Sequence, residues 1–235
     1  QMINSIFSNK NKNLKKYHNL ANSIIILDEV QSIPYKYWKL VNNTLKKMSE
    51  TLNCYIILVT ATMPLIFDES KNEIIELATD KKDYFSYFNR IDLDVSLLKN
   101  PMNTEEFNKV IQRDLEDNPQ DSFLFVLNTI KSSLRVYTFI LENFPDREII
   151  YLSTNIVPKE RLERINRIKT SKNCIVISTQ LVEAGVDIDL DRVYRDFGPL
   201  DSINQVCGRC NRNGLKDKKG QVKIFNLLDE NNKNK

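Results

Sequence analysis

The stretch Ser23–Gln31, S-I-I-I-L-D-E-V-Q, decides how the chain is read. Four apolar residues, Ile24 to Leu27, end abruptly in two carboxylates, Asp28 and Glu29. A continuous run of this kind reads as a strand buried on both faces, as in a parallel sheet. Acids at its C-terminal end then stand in the crevice where open α/β sheets bind ligands. The first carboxylate suits a hydrated Mg²⁺, which takes one or two carboxylates together with substrate phosphates. The second is placed to orient or deprotonate an attacking water. A strand running into an acidic surface loop has the same letters. What favours a site is that the rest of the chain repeats the strand-then-polar-cluster pattern several times.

Composition sets the outer bounds. A chain of 235 residues can hold one large or two small domains. With 34 Lys+Arg against 31 Asp+Glu the net charge is +3, too mild to argue nucleic-acid binding by itself. No apolar run approaches membrane-spanning length, so no membrane partner is expected, and four cysteines without a framework spacing fit a reducing cytoplasm. His18 is the one histidine, which excludes a metal site built from several. None of the five glycines begins or ends a G-x-x-x-x-G-K-[ST] phosphate loop.

Along the chain, residues 1–22 read as a helix followed by a basic loop, Lys10 to Lys16. Pro34 opens a helix whose stripe is Trp38, Val41, Leu45, Met48 and Leu52. Tyr55–Val59 is a second strand, ending in T-A-T-M-P. Strand, helix, strand predicts a βαβ unit, bringing Thr60 and Thr62 beside Asp28 and Glu29. Residues 66–80 read as a surface helix capped by Asp68, and Tyr84, Phe85, Tyr87 and Phe88 as an aromatic cluster packed under a connecting segment. The alternation of Ile91, Leu93, Val95 and Leu97 with polar residues predicts a strand with one wet face, and Asn100-Pro101 then breaks the chain. The predicted domains are 1–98 and 99–228, with a disordered tail over 229–235.

The second half restarts the α/β rhythm. Strands at Phe123–Leu127, Glu148–Leu152 and Cys174–Ile177 end in Asn128-Thr129, Ser153-Thr154 and Ser178-Thr179. Hydroxyls and free amides at strand ends suit phosphate oxygens, and three in series would track a sugar-phosphate backbone; each alone is equally an ordinary helix cap. In S-T-Q-L-V-E-A-G-V-D-I-D, Gly185 allows close backbone approach and Asp187 suits a ribose hydroxyl. Arg192–Phe197 reads as a last strand. After it Asp201 caps a helix carrying Gln205, Arg209 and Arg212 on one face, two guanidiniums that suit a triphosphate. Cys207 and Cys210 fall on the opposite face and read as packing, because no second pair completes a zinc site.

The ordered set D-E-V-Q, T-A-T-M-P, S-T-Q-L-V-E-A-G-V-D-I-D and Q-V-C-G-R-C-N-R-N-G resembles motifs II, III, V and VI of superfamily 2 (DExD/H-box) helicases. The wording of the last two is similar to the CRISPR-associated helicase-nuclease of type I systems. The resemblance runs over most of the chain and implies an α/β fold of two RecA-like parallel-sheet lobes, the first incomplete at its N-terminal side. ATP would lie between the lobes and single-stranded DNA across them. It implies that Asp28 holds Mg²⁺, Glu29 activates water, and Thr60 and Thr62 couple hydrolysis to DNA. Gly185 and Asp187 would touch the nucleotide, Gln205 would place the attacking water, and Arg209 and Arg212 would reach the γ-phosphate from across the interlobe cleft. Ser153 and Thr179 would hold the DNA backbone.

The family's phosphate loop and its histidine-aspartate nuclease domain have no counterpart here, so the chain reads as the C-terminal part of such a helicase. Its expected partners are an upstream lobe and nuclease domain, on the same or a separate chain, and a CRISPR effector complex. The alternative is a non-catalytic binding or scaffold remnant that kept the motifs by descent.

Overall fold

In the computed structural model, which describes residues 2–8, 10–60, 62–78, 80, 89–183, 185–216 and 218–228, the chain forms two units, Gln1–Thr79 and Asp80–Lys235. In the first, α1 (Met2–Ile6) and α2 (Asn11–Leu14) precede β1 (Ile24–Asp28), so the expected basic loop contains a helical turn. A 3-10 turn at Tyr35–Tyr37 leads into α3 (Trp38–Leu52). The expected stripe is the reason this helix forms: Val41, Leu45 and Met48 are buried on one side, and Asn53, left-handed at φ 49°, ends it. Trp38 donates its indole N–H to the Ile33 carbonyl at 2.8 Å, fixing the entry. The chain then runs into β2 (Tyr55–Val59), parallel to β1 with Asp28 opposite Val59.

Two expectations change here. β1 is not buried on both faces: Ile25 is 7% exposed, but Ile24 and Ile26 are 68% and 64% exposed. Helix α3 covers one side of the two-stranded sheet, and on the other Ile24, Ile26 and Tyr55 stay largely exposed. The helix expected over 66–80 is a single 3-10 turn, Glu69–Lys71. Asp68 does cap it, accepting from the Ser70 amide at 3.0 Å, but Asn72 at φ 54° stops it at once. Tyr84, Phe85, Tyr87, Phe88 and the tail 229–235 lie outside the described residues.

The second unit is built on a six-stranded, wholly parallel sheet. Its elements are β3 (Ile91–Asp94), α4 (Thr104–Asp117), β4 (Phe123–Val126), α5 (Ile130–Asn143), β5 (Ile149–Leu152), α6 (Pro158–Thr170), β6 (Ile175–Ser178), β7 (Arg192–Asp196), α7 (Leu200–Cys207) and β8 (Gly220–Phe225). The order across the sheet is β3-β8-β7-β4-β6-β5. Along β4, Leu124 and Val126 face the side covered by α6 and α7, while Phe123 and Phe125 face the side covered by α4 and α5. Burial on both faces is why β4 and β6 read as unbroken apolar runs.

The strand at Ile91–Asp94 pairs with β8, so the expected boundary near residue 98 falls inside the second unit. Helix α4 and strand β8 are additions to the expected elements. The helix opens on a reciprocal capping box between Asn103 and Glu106 and buries Phe107, Ile111 and Leu115. Phe107 stacks on Phe225 of β8 with ring centroids 4.0 Å apart, so the two additions pack on each other.

Because successive strands leave β4 in opposite directions, the C-terminal ends of β4, β6 and β7 border the switch point of the sheet, the usual place for a ligand crevice.

Candidate functional site

In the first unit the register of β1 and β2 places the acids and the threonines together. Asp28 accepts the Glu29 amide on Oδ1 at 2.9 Å, and both side chains are exposed. Glu29 takes a left-handed backbone, φ 54°, a conformation that costs a non-glycine residue about 1–2 kcal/mol and turns its carboxylate out of the strand direction. Gln31 joins the two clusters: its amide nitrogen donates to Glu29 Oε2, and its amide oxygen accepts from the Thr60 hydroxyl. The Thr60 hydroxyl also lies 2.7 Å from the Thr62 carbonyl, and the Thr62 amide donates back to it at 3.3 Å. One hydroxyl proton thus has two acceptors in reach. Gln31 lies outside the residues expected at the site; its place two residues after Glu29 is the one local signal for this bridge. An open groove of about 800 Å³ runs past Asp28 and Glu29, lined on its apolar side by Phe7, Ile26, Pro34 and Tyr37.

In the second unit Asp187 and Arg212 meet, Nε to Oδ1 at 3.1 Å, and Lys169 reaches the same carboxylate at 3.2 Å. The bonded Lys169 ammonium, with Arg212 behind it, holds the Asp187 carboxyl below the usual range. Two residues on, Asp189 accepts from the backbone amides of Arg212 and Asn213 at 2.8 and 3.3 Å. The D-I-D of the fifth motif therefore holds the sixth by side chain and by backbone. Gly185 is at φ +71°, which only glycine adopts without strain, and a Cβ there would meet nothing within 4 Å.

Gln205, Arg209 and Arg212 do not share a helix face. Helix α7 ends at Cys207 with Gly208 as its cap, and Asp201 lies in its first turn rather than capping it. Beyond the cap the chain forms an extended exchange with Leu190, through Leu190 N–H to Arg209 O and Asn211 N–H to Leu190 O. The two arginines separate as a result. Arg209 is 8% exposed and spends its guanidinium on the Val182 and Glu183 carbonyls, at 2.9 and 2.7 Å. Arg212 is the outer one, its side chain 38% exposed. Gln205 is half-buried on α7. Cys207 and Cys210 are packing residues: burial pushes their thiols up to about 11 and about 12, and Cys210 donates to the Asp191 carbonyl. Among the described residues no group of three potential ligands could hold a metal.

The strand-end residues fall into two sets. Thr129 and Thr154 are exposed, and Thr129 caps α5 by accepting the Ser132 amide at 3.0 Å. Ser153 and Thr179 are buried, and Ser153 Oγ accepts the Asn155 amide. Asn128 donates to the Phe197 carbonyl at 2.7 Å and accepts from Arg195 at 2.7 Å. That arginine is fully buried and also contacts Glu183 and Ser202. No motif pointed to it, because its partners come from separate segments.

Residues 119–215 match the family model described as the C-terminal part of the CRISPR-associated nuclease/helicase Cas3. The Cas3 of Methanothermobacter thermautotrophicus is 26% identical over 200 residues, covering 80% of this chain and 24% of that protein. The Cas3 of Haloferax volcanii is 49% identical over 61 residues, 26% of this chain and 6% of that protein. The chain thus spans a quarter or less of the length of these relatives. Among solved structures, that of T. fusca Cas3-ADP superposes with a TM-score of 0.73 at 17% identity, covering 98% of this chain and 32% of that one. The α/β fold is that of RecA-like helicase lobes, and no helix among the described residues is long and apolar enough to cross a membrane. With its four motifs in order, the chain resembles the C-terminal, helicase part of the CRISPR-associated superfamily 2 nuclease/helicase Cas3.

Proposed function

We propose that this chain is the motor portion of an ATP-dependent single-stranded DNA translocase or helicase of CRISPR antiviral defence, acting in the cytoplasm with an upstream segment that carries the phosphate-binding loop. The observation that carries the reading is the line Glu29–Gln31–Thr60, which joins the acid at the end of β1 to the hydroxyl at the end of β2. Asp28 fits Mg²⁺: it is exposed, and its Oδ2 makes no hydrogen bond among the described residues. The metal would neutralise phosphate charge. Glu29, held through one oxygen by Gln31, orients water with the other.

Thr60 couples the two clusters because its single proton serves either Gln31 or the Thr62 carbonyl, fixing or releasing the Glu29 carboxylate. In the second unit Arg212 would contact the phosphates of the nucleotide, Asp187 its ribose, and Gln205 would place water. Arg209 serves by holding the Gly185 loop in shape through the Val182 and Glu183 carbonyls. Single-stranded DNA runs over the strand ends at Asn128, Thr129, Ser153, Thr154 and Thr179. The exposed Thr129 and Thr154 offer their hydroxyls, and the buried members set the backbone amides. A nuclease domain and a CRISPR effector complex complete the assembly.

The test is phosphate release with single-stranded DNA. Lacking a backbone nest and a lysine for the β- and γ-phosphates, the 235-residue chain should turn over ATP no faster than its Glu29→Gln variant. Supplying an upstream segment with the phosphate loop should give DNA-stimulated turnover that requires Asp28, Glu29 and Arg212. Turnover that stays absent after that addition would favour a binding or scaffold role.

A further inference from the structure

Arg195 is the penultimate residue of β7 and has no exposed surface, a costly place for a group that stays charged. Its four terminal N–H groups are all accounted for. Nη1 donates to Asn128 Oδ1 and to the Asp196 carbonyl, both at 2.7 Å. Nη2 donates to Ser202 Oγ at 2.7 Å and to Glu183 Oε1 at 3.1 Å. The Ser202 hydroxyl, having accepted from the arginine, donates to the same Glu183 oxygen at 2.5 Å. Gly198 leaves the room this needs, since a Cβ there would come within 3.1 Å of Nη2.

These partners belong to separate segments: the end of β4, the loop after β6, and the first turn of α7. Asn128 neighbours the strand-end threonines, and Glu183 is two residues from Gly185. The geometry points to Arg195 as a positioning residue: its planar fork joins the strand end at Asn128, the Glu183 loop and the start of α7, so that the DNA-contacting and nucleotide-contacting segments of the second unit move as one piece. The functional half of this inference rests on the proposed function; the mechanical half does not. A lysine cannot substitute, because an ammonium has three donors and no fixed plane for four acceptors.

The test is hydrogen exchange on the full 235-residue chain and its Arg195→Lys and Ser202→Ala variants, paired with binding of a fluorescent oligo-dT. In Arg195→Lys the amides at the starts of α5 and α7 and in the turn 180–183 should lose protection together, by roughly tenfold or more, the effect of one charge-assisted hydrogen bond. The β3 and β8 amides should not change. Ser202→Ala should loosen the same segments less, and decides the question if Arg195→Lys fails to fold. Loosening confined to α7, or spread evenly over the unit, would overturn the joint. If wild-type binds oligo-dT, Arg195→Lys should bind several-fold more weakly, and equal affinity would refute a link to the DNA segments. If wild-type binds no oligo-dT, the proposed function fails, and the exchange pattern still decides whether the joint exists.

Discussion

Two arginines of one motif, three residues apart, should respond unequally to the same substitution. Arg209→Ala removes two charge-assisted hydrogen bonds, to Val182 O and Glu183 O. The Val182 carbonyl belongs to a residue with no exposed surface and would stay unsatisfied, whereas the Glu183 carbonyl is nearer water. Counting the first bond in full and discounting the second gives a loss of about 2–4 kcal/mol. With an m-value of about 2 kcal/mol/M in urea, the midpoint of the second unit should fall by about 1–2 M. Arg209→Lys should lose most of this, since a lysine cannot bridge both carbonyls in one plane. Arg212→Ala should leave the midpoint unchanged, because its partner Asp187 is exposed and the pair is screened. The assay is urea unfolding followed by far-UV circular dichroism. An Arg209→Ala midpoint within about 0.25 M of wild type, or an Arg212→Ala loss as large as that of Arg209→Ala, would refute the division of labour.

Cys207 and Cys210, with thiols pushed up to about 11 and about 12, should resist iodoacetamide at pH 8 in the folded chain and react once it is unfolded; rapid labelling of the folded chain would count against their packing role. Asp196 is buried, and burial raises its carboxyl above the usual value despite the amides of Asn128 and Leu227 that it accepts. A raised folded pKa means the native state holds the proton more tightly, so this group's contribution should favour folding increasingly as pH falls through that pKa; a Cγ titration midpoint at or below 3.8 would contradict this. Gly185→Ala places a side chain at φ +71° with open space around it, so the expected cost is backbone strain of about 1–2 kcal/mol with no steric clash, read by thermal unfolding. The exposed Ile24, Ile26 and Tyr55 should make the chain self-associate, and Ile26→Lys should lower the weight-average mass in sedimentation; a monomeric wild-type chain would remove the premise.

What the sequence disclosed was whatever repeats locally. The stripe of α3 and the doubly buried runs of β4 and β6 were legible because each is decided by its own neighbours. Strand β8 was missed because Lys223 interrupts a short run, yet that lysine pairs with Asp114 at 3.1 Å, a residue far away in the chain. The spacing of Gln205, Arg209 and Arg212 argues for one helix face, and the signal against it is Gly208, which caps the helix before either arginine. The strand-helix-strand pattern brings the ends of β1 and β2 side by side, with Asp28 opposite Val59, but the bridge that Gln31 makes from Glu29 to Thr60 depends on side-chain placement that no local pattern encodes. Burial of Arg195 could not be read at all, since a charged residue in a strand ordinarily marks a wet face.

The pairing of β3 with β8 has a consequence for how the chain is made. Asp92 and Gln221, side by side in the sheet and joined at 3.0 Å, are 129 positions apart. At a synthesis rate of about 5–20 residues per second, β3 leaves the ribosome roughly 6–26 s before β8, its one strand partner among the described residues. Through that interval a bare strand edge is exposed to other nascent chains. The letters of β3, I-D-L-D, are suited to the wait: two of its four residues carry charge and discourage pairing with a stranger. The second unit therefore closes last, when β8 slides between β3 and β7, and a chain stalled before Gly220 would present two open strands at once.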